Sequence, residues 1–169
     1  SPAQAVVERA RTQARLTFTK AVMKALLQRV LSASVAVEGE VVGAIDRGYV
    51  VLLGVAPEDG DAQIEWLVDK VLGLRVFANE QGKLDYDLRQ IGGSVLLVSQ
   101  FTLLADTQRG RRPSFSGAAS PAHAERIYNT VALGFAAAVP VQTGRFGADM
   151  QVSLINDGPF TLSLELSAQ

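Results

Sequence analysis

Two stretches of the chain alternate apolar and polar residues with a period of two. One runs through Ala25-Leu26-Leu27-Gln28-Arg29-Val30 into Val35 and Val37. The other flanks Gly158-Pro159, with Gln151-Val152-Ser153-Leu154 before it and Leu162-Ser163-Leu164-Glu165-Leu166 after it. That period predicts half-buried strands. Glu38-Gly39-Glu40 reads as the tight turn of a hairpin, and Asp46-Arg47-Gly48 as a second turn. Tyr49 to Val55 is continuously apolar, as a strand covered on both faces would be, and the first three strands should be neighbours. The period then changes. Ile64, Leu67, Val68, Val71 and Leu72 fall at helical spacing behind Asp61, a candidate cap, with Gly73 as the stop. Leu74 to Phe77 is short and strand-like, and Asn79 to Lys83 is a loop. Ser94 to Leu103 predicts a central buried strand. Ser120-Pro121 opens a helix through Ile127, Tyr128, Val131 and Phe135 that should end near Val139-Pro140. The last third predicts a strand from Val141, the loop Thr143 to Asp149, and a closing hairpin around Gly158-Pro159. The expected fold is a single mixed α/β domain, a strand-rich sheet flanked by two main helices.

Glycine followed by proline suits a turn, since proline fixes φ and donates no hydrogen bond. An X-Pro bond is also the one peptide linkage for which cis is cheap, roughly 0.5–1 kcal/mol above trans. Gly158-Pro159 is therefore either an ordinary trans turn or a cis bend offering main-chain carbonyls and almost no side chain.

Composition narrows the chemistry. The 169 residues suffice for one core without staples, and their 48% apolar but only 7% aromatic content calls for a core of Val, Leu, Ala and Ile. With no cysteine and a single histidine, His123, thiolate nucleophiles, disulfides and Cys- or His-based metal clusters drop out, and no cofactor is indicated. No apolar run reaches the ~20 residues of a membrane span. The formal net charge of −1 gives no global attraction to nucleic acid, so phosphate contacts need a local cluster. Residues 1–22 stand apart: Arg9, Arg11, Arg15 and Lys20 face one acid, Glu8, a composition shared by amphipathic helical extensions and by organellar transit segments. The domain proper is expected over 23–169, since Met23 opens the first strongly patterned segment. The expected compartment is the cytoplasm, or an organelle if 1–22 belong to a transit segment.

Four places could carry chemistry. Ser99-Gln100-Phe101-Thr102 puts polar groups at the end of a buried strand, where they need partners from backbone or ligand. Asp106 to Pro113 is a glycine-containing loop with Arg109, Arg111 and Arg112, suited to phosphate or to a solvated charge cluster. Phe146 between Gly144 and Gly147 could stack on a flat group or simply fill the core. Asp85 and Asp87 share one side of an extended segment, as acid/base pairs do and as solvated loop faces more often do. His123 falls in the first turn of its helix and reads as an exposed surface residue.

Several of these stretches agree in order along the chain. Leu27-Gln28-Arg29-Val30, Gly48 to Gly54, Gly92-Gly93-Ser94 through Ser99-Gln100-Phe101-Thr102-Leu103, Arg112-Pro113-Ser114-Phe115, Thr143 to Val152 and Asn156-Asp157-Gly158-Pro159 together resemble the D-aminoacyl-tRNA deacylase family from Met23 onward. The resemblance implies a homodimer that hydrolyses the ester of D-aminoacyl-tRNA, and glycyl-tRNA as well. Gly158-Pro159 would be cis and reach into the partner's pocket, its main-chain oxygens occupying the place of an L-side chain. Arg29 would fix that loop, and Ser99, Gln100, Phe101 and Thr102 would line the pocket. Phe146 and Gly147 would hold the terminal adenosine. The resemblance further implies catalysis assisted by the RNA 2′-hydroxyl, with main-chain donors at Phe101 and Thr102 and a positioning role for Thr102; Thr102 as nucleophile is the lesser alternative. Leu84-Asp85 and Phe160 depart from common family residues and bear on substrate range. A non-catalytic nucleic-acid-binding module built on the Arg109–Arg112 loop is the competing reading.

Overall fold

A computed structural model describes residues 1–16 and 21–166. The leading segment forms helix α1 (Pro2–Leu16), and Lys20, one of its four basic residues, lies outside the described residues. The domain then runs β1 (Met23–Val37), β2 (Glu40–Ile45), β3 (Gly48–Gly54), α2 (Asp61–Gly73), β4 (Phe77–Ala78), β5 (Leu84–Tyr86), β6 (Ser94–Ser99), α3 (Pro121–Ala136), β7 (Val141–Thr143) and β8 (Gln151–Leu166).

The expected mixed sheet is present. Six strands form it in the order β2-β1-β3-β6-β7, with β8 paired along the other side of β1. β3, β6 and β7 are mutually parallel, because α2 and α3 each carry the chain back across the sheet between them. β1 is antiparallel to β2, β3 and β8. The first hairpin turns at Glu38 and Gly39, both at positive φ (50° and 78°), the geometry of a two-residue turn that matches strand twist. β2 folds over the sheet so closely that a Cβ on Gly43 would lie 2.7 Å from the Thr143 carbonyl.

Two cores result. On the helix side, Leu27, Tyr49, Val51, Leu53, Val95 and Leu97 meet Leu67 and Val71 of α2 and Val131 and Phe135 of α3. On the other side Val30, Val35, Ile45, Val50, Leu96 and Val98 form a smaller cluster. β3 contributes to both, which accounts for its unbroken apolar run. β4 and β5 make a separate two-stranded ribbon.

The alternating stretch from Ala25 to Val37 is one strand, β1, whose alternation slips at Arg29 and Leu31 and then resumes. Three expectations need correction. The stretch around Gly158-Pro159 is no hairpin: β8 continues through it, and the extra residues bulge out between the Asn156↔Val30 and Thr161↔Gln28 pairs. β6 ends at Ser99 and the chain turns into a 3₁₀ segment, Phe101–Leu104. The cap of α2 is Gly60, whose N–H donates to Gln63 Oε1 at 2.8 Å, while Asp61 is the first helical residue and meets the helix dipole there. α3 opens as expected, with Ser120 Oγ accepting from the His123 amide and Pro121 following, but its regular turns end at Ala136.

β8 has one neighbour only, so its outer edge is unpaired among the described residues. Ile155, on that strand, is 57% exposed.

Candidate active site

The polar end of β6 is held by main chain. Gln100 N–H donates to the Leu53 carbonyl at 2.7 Å, tying the turn to the end of β3. In the 3₁₀ turn that follows, Leu103 N–H bonds back to the Gln100 carbonyl at 3.2 Å. This closes the turn while leaving the amides of Phe101 and Thr102, its first two positions, without a partner inside it. Gly54 sits directly beneath: an added Cβ would meet Leu104 Cδ2 at 2.8 Å, Leu103 Cβ at 3.1 Å and the Gln100 carbonyl at 3.2 Å.

A cavity of about 540 Å³ opens in front of this turn. Ser99, Gln100 and Phe101 form one wall; Phe115, Ala118, Ala119, Pro121 and Ala124 form a second; Phe146, Gly147, Ala148, Asp149 and Met150 form a third. Ala119 N–H donates to the Val55 carbonyl at 2.9 Å, which fixes the second wall to the sheet. The third is fixed by Tyr128. Its ring lies 5.8 Å from that of Phe146, and its hydroxyl donates to the Leu97 carbonyl at 2.9 Å, which also accepts from Gly144 N–H at 3.1 Å. Burial pushes the Tyr128 hydroxyl pKa up, so it remains a donor. Gly147 has φ of 77° and open space where a Cβ would stand, leaving the main chain there accessible. At the rim Phe101 and Phe115, both exposed, meet edge to face at 5.1 Å.

Thr102 lies beside this wall. Its hydroxyl accepts a hydrogen bond from the Gln100 side-chain amide, and among the described residues no carboxylate or imidazole bonds to it. His123 is occupied elsewhere and is half-buried rather than exposed: Nε2 meets the Asp59 carbonyl at 2.8 Å and Nδ1 meets Arg126 Nη2 at 2.9 Å. Since arginine only donates, Nδ1 is the acceptor and the proton sits on Nε2. Among the described residues no group of three or more histidines or acids is arranged to hold a metal.

Gly158, Pro159 and Arg29 come together at a different place, outside the walls of this cavity in the same chain. The Gly158-Pro159 bond is cis, and both residues are exposed. The bulge is built around Asn156, whose side chain accepts from Phe160 N–H at 2.9 Å and donates to the carbonyls of Arg29 at 3.0 Å and Phe160 at 2.9 Å. Arg29 braces the bulge from beneath. Its Nε donates to the Asp157 carbonyl at 3.0 Å and lies 3.5 Å from Asp157 Oδ2, its Nη1 donates to the Val76 carbonyl, and its guanidinium carbon is 4.7 Å from the Phe160 ring centre.

Arg109, Arg111 and Arg112 project from a loop closed by paired main-chain bonds between Asp106 and Ser114, at 2.7 and 2.9 Å. All three are exposed and have no ion-pair partner among the described residues. The loop joins the cavity through Phe115. Asp85 and Asp87 take no part. Arg75 beside Asp85 holds its carboxyl below the usual carboxylate range, and Asp87 exchanges hydrogen bonds with Gln90, so the solvated-loop alternative describes them. Leu84, exposed on the β4–β5 ribbon, is likewise not among the cavity walls.

The second wall was not singled out from sequence. Ala118, Ala119 and Ala124 carry no chemical signature, and the one available hint was Phe115 at the end of the arginine loop.

The chain was also compared with known proteins. A family model described as D-Tyr-tRNA(Tyr) deacylase matches residues 26–165. A D-aminoacyl-tRNA deacylase of Shewanella loihica is 56% identical over 145 residues, 85% of this chain and all of the relative. One from Lacticaseibacillus casei is 52% identical over 152 residues, 87% of this chain and again the whole relative. Among solved structures, one titled c-Myc DNA Unwinding Element Binding Protein is 42% identical with a TM-score of 0.81, covering 86% of this chain and 99% of its own. Another, titled as a probable eukaryotic D-amino acid tRNA deacylase, has a TM-score of 0.73 over 86% of this chain and all of its own; at 16% identity it speaks to the fold alone.

Proposed function

Since the chain belongs to the D-Tyr-tRNA(Tyr) deacylase family, we propose that it hydrolyses the ester joining a D-amino acid to the terminal ribose of tRNA, releasing the free amino acid and the tRNA. The observation that carries this reading is a cavity walled by main chain, alanines and phenylalanines, with two amides at the Phe101–Thr102 turn that have no partner, and no activated side-chain nucleophile, among the described residues. An aminoacyl ester is already reactive and has a ribose hydroxyl beside it. The enzyme's task is then to hold it and to stabilise the oxyanion.

In this reading Phe146 stacks on the terminal adenine while the open main chain at Gly147 lets the base approach. The ester carbonyl faces the Phe101 and Thr102 amides. Water attacks with help from the RNA 2′-hydroxyl, the amides bind the negative charge that develops on the carbonyl oxygen, and the ribose 3′-oxygen leaves with a proton as the acid is released. Selection is by exclusion. Gly158-Pro159 of a second copy closes the pocket, its main-chain oxygens standing where an L-side chain would point, whereas D-side chains point outward and glycine passes for want of a side chain. The exposure of this pair in the single chain and its bracing by Arg29 support such a role, as does the unpaired outer edge of β8 for a homodimer. Arg109, Arg111 and Arg112 would contact phosphates near the rim. The family match over 26–165 supports a division into a leading segment, 1–22, and the deacylase domain, 23–169.

Incubation with matched D- and L-aminoacyl-tRNA tests the proposal. The D-ester should be lost and the L-ester spared; tight binding with no turnover of either would instead leave a nucleic-acid-binding module.

Two substitutions separate the roles. Thr102→Ala should retain the single-turnover rate to within about threefold, whereas removal of a base-activated nucleophile costs on the order of 10⁴-fold or more. Phe146→Ala should raise KM roughly tenfold with a smaller change in kcat, in line with about 1–3 kcal/mol for a base–aromatic stack.

A further inference from the structure

Among the described residues, Phe77 and Phe135 are buried and Phe146 and Phe160 are half-buried, whereas Phe101 and Phe115 stand 54% and 41% exposed. These two touch each other, with 5.1 Å between ring centres and 65° between planes, and both line the cavity. In an edge-to-face pair the ring that offers its edge keeps both of its own faces clear of the other ring, so a flat π surface is left to solvent. Apolar side chains exposed singly are ordinary, but contiguous ones at the mouth of a pocket mark a place of contact. What flanks the pair identifies its ligand. On one side lies the cavity with the Phe101–Thr102 turn. On the other, Phe115 directly follows Ser114, whose main-chain bonds with Asp106 close the loop carrying Arg109, Arg111 and Arg112, all exposed. Aromatic faces beside a run of cations are the two components of a single-strand nucleic-acid surface: rings take the bases and cations follow the phosphates.

We infer that Phe101 and Phe115 form a second base-binding subsite, which stacks the nucleotide 5′ to the terminal adenosine as the acceptor strand passes from the cavity to the arginine loop. This rests on the deacylase reading above, which puts the terminal adenosine at Phe146, on another wall of the same cavity. Every base has a π face, so the subsite takes purines and pyrimidines alike and adds affinity without reading sequence. It lies at the cavity mouth, and a stack there is as strong in the ground state as in the transition state. The subsite therefore sets KM more than kcat.

The test uses the full chain and two short RNAs, each esterified at its 3′ end with the same D-amino acid. They differ only in whether the residue before the terminal adenosine carries its base or is abasic, so ribose, phosphates and charge are the same in both. With the unaltered protein, loss of the base should raise KM about tenfold while kcat stays within about threefold. Phe115 is the position to change, because Phe101 also supplies a main-chain amide to the proposed oxyanion site. Phe115→Ala should cost about tenfold more in kcat/KM on the base-bearing RNA than on the abasic one, and Phe115→Tyr should restore most of that difference. Added salt should weaken both RNAs together and leave their ratio in place, since it screens phosphate contacts and not stacking. Equal KM for the two RNAs from an enzyme that hydrolyses both would overturn the subsite and leave the deacylase reading standing; hydrolysis of neither would overturn both. A Phe115→Ala loss of the same size on the two RNAs would also overturn the subsite, the pair then serving the amino-acid side chain or a contact between copies.

Discussion

Replacing Arg29 with alanine should lower the rate on a D-aminoacyl ester by on the order of 10²-fold, the scale that a misplacement of about 1 Å imposes on an oriented reaction. The expectation comes from what this one side chain holds. It donates to the carbonyls of Asp157 and Val76 and lies over the ring of Phe160, so the base of the Gly158-Pro159 bulge rests on it from three directions. Removal also leaves the Asp157 carboxylate without its cation. That side chain is 33% exposed, so solvent screening reduces the loss to about 2 kcal/mol, or a fall in melting temperature near 6 °C. Arg29→Lys should recover little, because an ammonium cannot bridge two carbonyls in a planar fork while covering an aromatic face. The decisive measurement is the ratio of D- to L-ester hydrolysis. If Arg29 sets the position of the chirality filter, the ratio falls together with the rate; an unchanged ratio would reduce Arg29 to a stabilising residue.

Gly54→Val should be as damaging to turnover while leaving the melting temperature within several degrees. Even a Cβ at this position comes within 3.2 Å of the Gln100 carbonyl and 3.1 Å of Leu103 Cβ, and valine adds two methyls behind it. Leu104 Cδ2, at 2.8 Å, can rotate away, but the main chain of the 3₁₀ turn cannot. The turn must lift, carrying the Phe101 and Thr102 amides with it. A loss of about 10²-fold in kcat with KM altered only a few-fold is expected, since the cavity wall at Phe146 and Gly147, proposed above to hold the adenine, is anchored separately through Tyr128. A KM effect larger than the kcat effect would instead place the damage in binding.

What was legible in the sequence and what was not divides along a physical line. Period-two and helical patterns located β1, β8, α2 and α3, because each buries one face against a core and its residues must repeat accordingly. The continuous run Tyr49 to Val55 announced burial on both sides correctly, and Ser120-Pro121 marked the start of its helix. The misread places are those where main chain rather than side chain decides. The Gly-Pro bulge looked like a hairpin turn because proline and glycine signal a break in pairing without revealing whether the chain reverses. Only the long-range match of β8 with both halves of β1 shows that it does not. Ser99 to Leu103 looked like more strand because Phe, Thr and Leu suit one, yet Gly54 makes room for a tight turn there, and that packing is invisible from residue types. His123 was read as a surface residue since nothing in its neighbourhood signals the Asp59 carbonyl, 64 residues away in sequence. The candidate site itself was half legible. Ser99, Gln100, Phe101, Phe146 and Gly147 do share one cavity, whereas its alanine wall left no trace a reader could follow.

The long unpaired side of β8 carries a further consequence. Sixteen residues of strand with one flank open, and isoleucine among its exposed side chains, form a template onto which any extended peptide could add. In the proposed homodimer a second copy would cover this edge, and a lone subunit would then be the aggregation-prone species. At equal protein concentration, substitutions that pull the two copies of that dimer apart should bring turbidity on warming before helical content is lost.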